Sequence, residues 1–456
     1  MKALLQKNKI LLLLIAVVVV FYADFAYSLE RANFIKLFGL YSVLFFLSYK
    51  IFQIYKWNFW GLAGIAFLFR IVFIAAIPNL SQDFYRFIWD GRMFVAGWNP
   101  YLYLPEDIIV QGNAPIFQAR ELFNGMGGLN ASHYTNYPPL NQLIFAMAGL
   151  VSGKSMLGAV ITMRVFIIAA DIGTLYFGKK LLEAFYLPIS RIYLYILNPF
   201  VIIELTGNLH FEGVMVFLLV FSLYLLHFKK WMLSAVMIAL SISLKLLPLI
   251  FLPLLFGYFT KQKERNSLSF GKLLLYYAIT GLVVMLSFLP FLSAELISNF
   301  ASSIGLWFQK FEFNASIYYI IRWIGFQIKG YNIIGIVGKL LPVAVICVIL
   351  ALTFLRKNSS TQRLIVSSLL AVTTYFFLST TVHPWYIATP LILSVFTRYR
   401  FAVIWSFFSI LSYYAYSSDL FKENLWLVAL EYVVVMGVFC REVFTTKENQ
   451  KPLFGL

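Results

Sequence analysis

The chain has 456 residues, of which 61% are hydrophobic and 12% charged, and a formal net charge of +17. Polar side chains are too few to cover a soluble domain of this size, so composition alone makes this a polytopic membrane protein. The basic residues recur in short clusters between apolar runs, which is the positive-inside pattern and excludes a nucleic-acid-binding stripe. Cys347 and Cys440 fall in separate apolar runs, which excludes a disulfide framework and a thiolate zinc site.

Apolar spans are expected near residues 9–27, 34–55 and 57–77, each about long enough to cross a ~30 Å hydrocarbon core. The first follows MKALLQKNK, and its length marks a retained span rather than a cleaved signal. With Lys2, Lys7 and Lys9 cytoplasmic, three crossings place residues 79–139 outside as a large first loop. That loop begins SQDFYRFIWDGRMFVAGWNPY, which sets Asp83, Arg86, Asp90 and Arg92 among aromatic side chains. Ser81 or Asp83 can cap a helix here, and Gly97 and Asn99-Pro100 can end it. Phe84, Phe87, Ile88, Gly91, Phe94 and Val95 form an apolar stripe with Arg86 and Asp90 on another face, so the helix is expected to lie flat on the bilayer. The later NGMGGLNASHYTNYPPL is rich in Gly, Asn and Tyr and reads as a mobile segment able to close over a substrate.

Residues 140–151 are too short for a comfortable crossing and read as a re-entrant or surface helix. With the next span at 156–177, that assignment places Lys179, Lys180 and Arg191 inside. Further spans near 192–205 and 214–228, a hairpin over 231–259, and a span at 273–289 lead to a second outer loop at 293–332. A return span and four more, near 364–378, 386–396, 403–416 and 425–438, bring the total to about fourteen crossings in one transmembrane domain. Lys229, Lys230, Lys261, Lys263, Arg265, Arg356, Lys357 and Arg363 all agree with this orientation. There is no long internal repeat.

On the outer side this parity leaves Asp83, Arg86, Asp90, Arg92, His133, Asn208, His210, Glu212, Lys245, Asn314, Arg322 and His383. Asp83 and Asp90 are separated by about 10.5 Å of helix rise, too far to share a metal and beyond the spacing of glycosidase carboxyl pairs. One base suffices, and Asp83 at the helix start is the candidate, while Asp90 pairs with Arg86 at i, i+4. Asn208, His210 and Glu212 in ELTGNLHFEG suit either a satisfied interfacial cluster or contacts to a hydroxyl-rich ligand or a metal. Lys245, in the apolar SISLKLLPLIFLP, either snorkels or meets an anion such as phosphate. His383 in TTVHPWY is a cap or a ligand contact, and Arg322, between Tyr319 and Trp323, is a candidate phosphate contact. Arg70, Arg164, Asp171 and Glu204 lie inside spans, where structural pairing is expected. GLVSGKS has one residue too few between its glycines for a phosphate-binding loop, and no dinucleotide fingerprint occurs.

Taken together, SQDFYRFIWDGR, GWNPY, YPPL, the Arg164/Asp171 span, NPFVIIELTGNLHFEG, LKLLPL and HPWY resemble the polyprenol-phosphate-mannose-dependent mannosyltransferases and their relatives of the GT-C class. The resemblance runs from about Arg70 to Pro390 and implies an all-α, multi-span helical fold with a large first external loop. It also implies an essential acidic residue on that loop, here Asp83, and an inverting transfer of a hexose, commonly mannose, from a lipid phosphate to an acceptor hydroxyl. Many relatives carry a paired acidic motif at this point; here Gln82 precedes Asp83 and Tyr85 follows it two positions on, so no cofactor is expected and a divalent metal is not favoured.

A site that faces outward and lacks a nucleotide fold can draw its donor from the membrane. On this reading Asp83 is the general base. Lys245, His383 and Arg322 hold the donor phosphate. Arg86, Asp90, Tyr137, Asn208, His210 and Glu212 contact sugar or acceptor. The expected partners are a polyprenyl-phosphate sugar, a glycan or glycolipid acceptor and the bilayer, with no nucleic acid. The expected location is a bacterial inner membrane, with the site on the extracytoplasmic face. A lipid or solute transporter and a non-catalytic transferase subunit are the alternatives from other classes.

Overall fold

A computed structural model describes residues 2–260, 269–418 and 421–445. Lys261, Lys263 and Arg265, expected on the cytoplasmic side, lie outside them. Among the described residues the fold is helical throughout, with no strand beyond an isolated bridge between Phe313 and Thr381. Among the described residues six helices are long and apolar enough to cross a membrane: Lys9–Tyr27, Phe34–Tyr55, Met156–Ala184, Phe270–Phe291, Ile334–Phe354 and Thr361–Leu378. A seventh span is broken, with Ile189–Ile196 and Val201–Gly207 bent by 58°. Most of the remaining expected crossings are shorter apolar helices, among them Phe59–Val72, Glu212–His227, Trp231–Ile242 and Phe401–Tyr416.

The break at residues 197–200 is written in Asn198-Pro199. Pro199 has no N–H for a helical ladder, and Asn198 fills the gap: its Oδ1 accepts from the Phe200 N–H at 3.0 Å and its Nδ2 donates to Ser406 Oγ at 2.9 Å. Broken helix ends expose carbonyls that no lipid can satisfy. Arg164 donates to the carbonyls of Thr206, Gly207 and Ile74, each at 2.8 Å. Arg70 donates to Ile196 O at 2.7 Å and pairs with Asp171 at 2.7 Å. Arg70, Arg164 and Asp171 are thus paired within the protein, as the sequence led one to expect.

The first loop departs from expectation in two ways. The Asp83–Val95 helix begins and ends where expected, but the face that carries Arg86 and Asp90 is not wet. Phe84 and every residue from Arg86 to Met93 are buried, charged side chains included. Gly91 makes this possible: a Cβ there would stand 2.2 Å from the Phe145 carbonyl oxygen, so the helix packs backbone against the Pro139–Ser152 helix. Nor is the Gly/Asn/Tyr-rich segment loose. The Ala119–Ala131 helix, kinked at Gly127 (φ 75°), runs into a stretch whose Asn130, His133 and Thr135 are buried. Arg86 Nη1 donates to the carbonyls of Asn130 at 2.5 Å and His133 at 3.0 Å. Gln142 Nε2 bridges Thr135 Oγ1 and Asp90. Composition suggested mobility; buried donors aimed at the loop carbonyls remove it.

The second loop closes on the first. Asn99 Nδ2 donates to Phe291 O, Asn299 Nδ2 to Tyr101 O and Ser303 Oγ to Tyr134 O. The Phe313 N–H donates to Thr380 O and Phe313 O accepts from Val382 N–H, which brings Phe311 and Phe313 beside His383.

Candidate active site

These contacts enclose a cavity of about 470 Å³, within the usual range of small-molecule sites. Its walls come from parts of the chain far apart in sequence. Ser81, Gln82 and Asp83 stand at the start of the first-loop helix, opposite Asn130 and Tyr137; Glu212 opens the Glu212–His227 helix and Lys245 lies in the turn that follows the Trp231–Ile242 helix. His383, Trp385 and Tyr386 are supplied by the turn after the Thr361–Leu378 span, and Arg31, Tyr416 and Phe421 complete the rim.

Asp83 is half-buried at the helix start, with its backbone N–H on Ser81 Oγ at 3.3 Å. Oδ1 accepts from Asn130 Nδ2 at 3.2 Å. Burial lifts its pKa above the ordinary carboxylate value; the Asn130 bond, Lys245 and Tyr137 oppose that rise and Glu212 adds to it. The outcome is a carboxylate with enhanced basicity, held in one orientation by a side-chain amide.

Lys245 Nζ sits 3.0 Å from Glu212 Oε1 and 5.2 Å from the centre of the Tyr137 ring. The pair satisfies the lysine, but the second carboxylate oxygen, Glu212 Oε2, is buried without a hydrogen-bond partner. An orphaned acceptor on a cavity wall is a place for a ligand hydroxyl. Trp385 lies between two imidazoles, with ring centres 3.7 Å from His210 and 4.5 Å from His383, both nearly parallel. Burial and the nearby Lys245 push the His383 pKa down to about 3. His383 is therefore neutral at physiological pH and brings an N–H and a ring face, not the positive charge expected of a phosphate contact.

Asp83, Tyr137, Glu212, Lys245 and His383 are thus brought together, whereas the other expected site residues do not line the cavity. Arg86 and Asp90 form a buried pair at 2.8 Å whose remaining bonds go to the loop and to Gln142. Asn208 is spent on the backbone, accepting from the Leu80 N–H at 2.9 Å and donating to Ile203 O at 3.0 Å. His210 is buried beneath Trp385 with Nδ1 2.8 Å from Glu204 O. Arg322 pairs with Glu312 on the half-buried face of the Ile317–Lys329 helix. Arg86, Asp90, Asn208 and Arg322 already have protein partners, whereas His210 keeps a buried Nε2 without a hydrogen-bond partner. Among the described residues no group of three His, Cys, Asp or Glu side chains is arranged to hold a metal ion.

Arg31 was passed over in the sequence, although one signal pointed to it. In the turn LERAN after the first span it is a basic residue on the expected outer side, against the positive-inside trend. Tyr416 and Phe421 carried no signal, because aromatics near span ends are commonplace in membrane proteins.

Comparison with known proteins bears out the resemblance. Residues 52–261 match the model of the family described as alpha-(1->6)-mannopyranosyltransferase, N-terminal domain. Over 181 residues the chain is 26% identical to alpha-(1->6)-mannopyranosyltransferase A of Corynebacterium glutamicum. That alignment covers 40% of this chain and 35% of the relative's length. The matched segment contains Asp83, Tyr137, Glu212 and Lys245, but neither Arg31 nor His383.

Proposed function

We propose that this protein, similar in its first half to alpha-(1->6)-mannopyranosyltransferases, transfers a mannosyl group from a polyprenyl-phosphate donor to an acceptor hydroxyl of a glycan or glycolipid. The observation that carries this reading is the Asp83 carboxylate, fixed by Asn130 on the wall of a hexose-sized cavity and made more basic by burial. The acceptor oxygen attacks the anomeric carbon as its proton passes to Asp83. The bond from that carbon to the phosphate oxygen breaks, and the lipid monophosphate leaves with the electron pair. A single displacement of this kind inverts the anomeric centre. Glu212 Oε2 accepts a sugar hydroxyl, Lys245 pairs with Glu212 Oε1 and so fixes its orientation, and Trp385 offers its ring to the sugar face. The cavity faces the extracytoplasmic side of a bacterial inner membrane, where membrane-anchored donors replace nucleotide sugars.

The reaction needs no metal on this account. Of the two carboxylates at the cavity just described, Glu212 is neutralised by Lys245 and Asp83 is the base. Transfer is expected to persist in excess EDTA. The transporter alternative draws no support from the intramembrane charges, since Arg70, Arg164 and Asp171 are occupied with helix ends and with one another.

The test is incubation of the purified full chain with a panel of polyprenyl-phosphate sugars and oligomannoside acceptors, followed by mass analysis. Release of lipid monophosphate together with an acceptor heavier by one hexose, most efficient with mannose, is the expected result. No turnover of any donor, or vesicle uptake of a solute without glycosyl transfer, would contradict it.

A further inference from the structure

The cations near the cavity differ in how far they are already neutralised. Lys245 is paired with Glu212 at 3.0 Å, Arg86 with Asp90 at 2.8 Å and Arg322 with Glu312. Arg31 lines the cavity and, among the described residues, forms no ion pair. Its position is nevertheless fixed. Nη1 donates to Leu80 O at 3.0 Å, and the guanidinium lies 4.1 Å above the centre of the Tyr416 ring. Leu80 itself is pinned by Asn208 at 2.9 Å and sits three residues before Asp83. A held guanidinium with one donor committed and, among the described residues, no carboxylate within ion-pair distance is a preorganised anion site, because the rest of its planar fork can bind oxygen atoms.

We propose that Arg31 binds the phosphate of the lipid donor, and that Lys245 acts through Glu212 on the sugar instead. This deepens the lipid-phosphate reading above and rests on it. The chemistry asks for such a residue. Before transfer the donor's phosphodiester carries one negative charge; afterwards the lipid monophosphate holds the electron pair of the broken bond and carries a second, while the acceptor proton resides on Asp83. Charge therefore grows on the phosphate and disappears from Asp83, and a cation with no carboxylate of its own stabilises that change more than one already paired. Arg31 is a positioning and charge-stabilising residue at the leaving-group end; Asp83 serves the acceptor end.

The experiment is direct binding to the full chain in nanodiscs, with polyprenyl monophosphate, the uncharged polyprenol and inorganic phosphate as separate ligands. Wild type is expected to prefer the lipid phosphate to the polyprenol. Arg31→Ala is expected to lose that preference by about 10- to 100-fold, the size of a charge-assisted hydrogen bond, with polyprenol binding unchanged. Arg31→Gln keeps a polar amide without the charge and carries the test if the alanine variant does not fold; Arg31→Lys should recover part of the preference. Wild-type preference in folded Arg31→Gln overturns this inference and leaves the lipid-phosphate donor standing. A wild type that does not distinguish lipid phosphate from polyprenol overturns the donor reading itself. Competition by inorganic phosphate as strong as by the lipid would make the anion a free phosphate and overturn the assignment to the donor.

Discussion

Asp83, the proposed base, is held in a way that costs stability. Its folded pKa is raised, chiefly by burial, so the native protein binds the proton more readily than the unfolded chain does. Stability therefore falls as pH rises from the unfolded value through the folded one, and the full penalty of the buried charge is present above it. Asp83→Asn retains an oxygen for the Asn130 amide and removes the charge. We expect this variant to unfold at a higher temperature than wild type near neutral pH, and the gain to vanish on acidification; thermal unfolding in detergent at several pH values measures it. His383 makes the opposite point. A lone histidine before Pro-Trp-Tyr announced a turn, but only its buried setting beside Lys245 shows that it stays neutral. Among the candidates, Asp83, Lys245 and Glu212 were legible because charges are rare in such a chain; the paired state of Lys245 was not, because Glu212 lies 33 residues away and meets it only when the Glu212–His227 and Trp231–Ile242 helices pack together.

The first-loop helix was legible in its ends and illegible in its surroundings. Period and capping set its limits near Asp83 and Val95, yet the face with Arg86 and Asp90 resembled a solvated one. What reverses the sense of that face is the loop that follows: Arg86 serves as an internal brace for Asn130 and His133, and Asp90 is the counterion that makes the brace affordable. Arg86→Met would leave Asp90 buried without its cation, at a cost of about 3–5 kcal/mol. It should also open the stretch after Asn130 to limited proteolysis, with cleavage seen by mass analysis of fragments. The contact at Gly91 is tighter still. Gly91→Ala must push the helix away from the Phe145 carbonyl, at an expected cost of about 1–3 kcal/mol, and should lower both the thermal midpoint and transfer because Asp83 rides on the same helix.

Across the whole molecule, hydropathy revealed the class of fold and most of its long helices, while counting crossings was harder. Segments such as Phe59–Val72 and Trp231–Ile242 are too short to span alone, and Asn198-Pro199 divides another in two. Short and broken helices leave carbonyls that buried arginines satisfy, so the intramembrane charges are a consequence of the architecture and not a solute path. The cavity is a property of the whole chain in the same sense. Arg31 and His383 lie hundreds of residues apart and outside the segment matched to the mannopyranosyltransferase family, and no local pattern joins them.

The most direct measurement of the central claim, that Asp83 receives the acceptor proton, is the pH dependence of kcat/KM for mannosyl transfer in wild type and Asp83→Asn. Wild type should lose activity as pH falls through a pKa above the ordinary carboxylate value, since protonation removes the base. The variant should be slower by about 10²- to 10⁴-fold and lack that limb, with donor binding and folding retained. Near-normal turnover by Asp83→Asn, or an unchanged acid limb in its residual activity, would contradict the account.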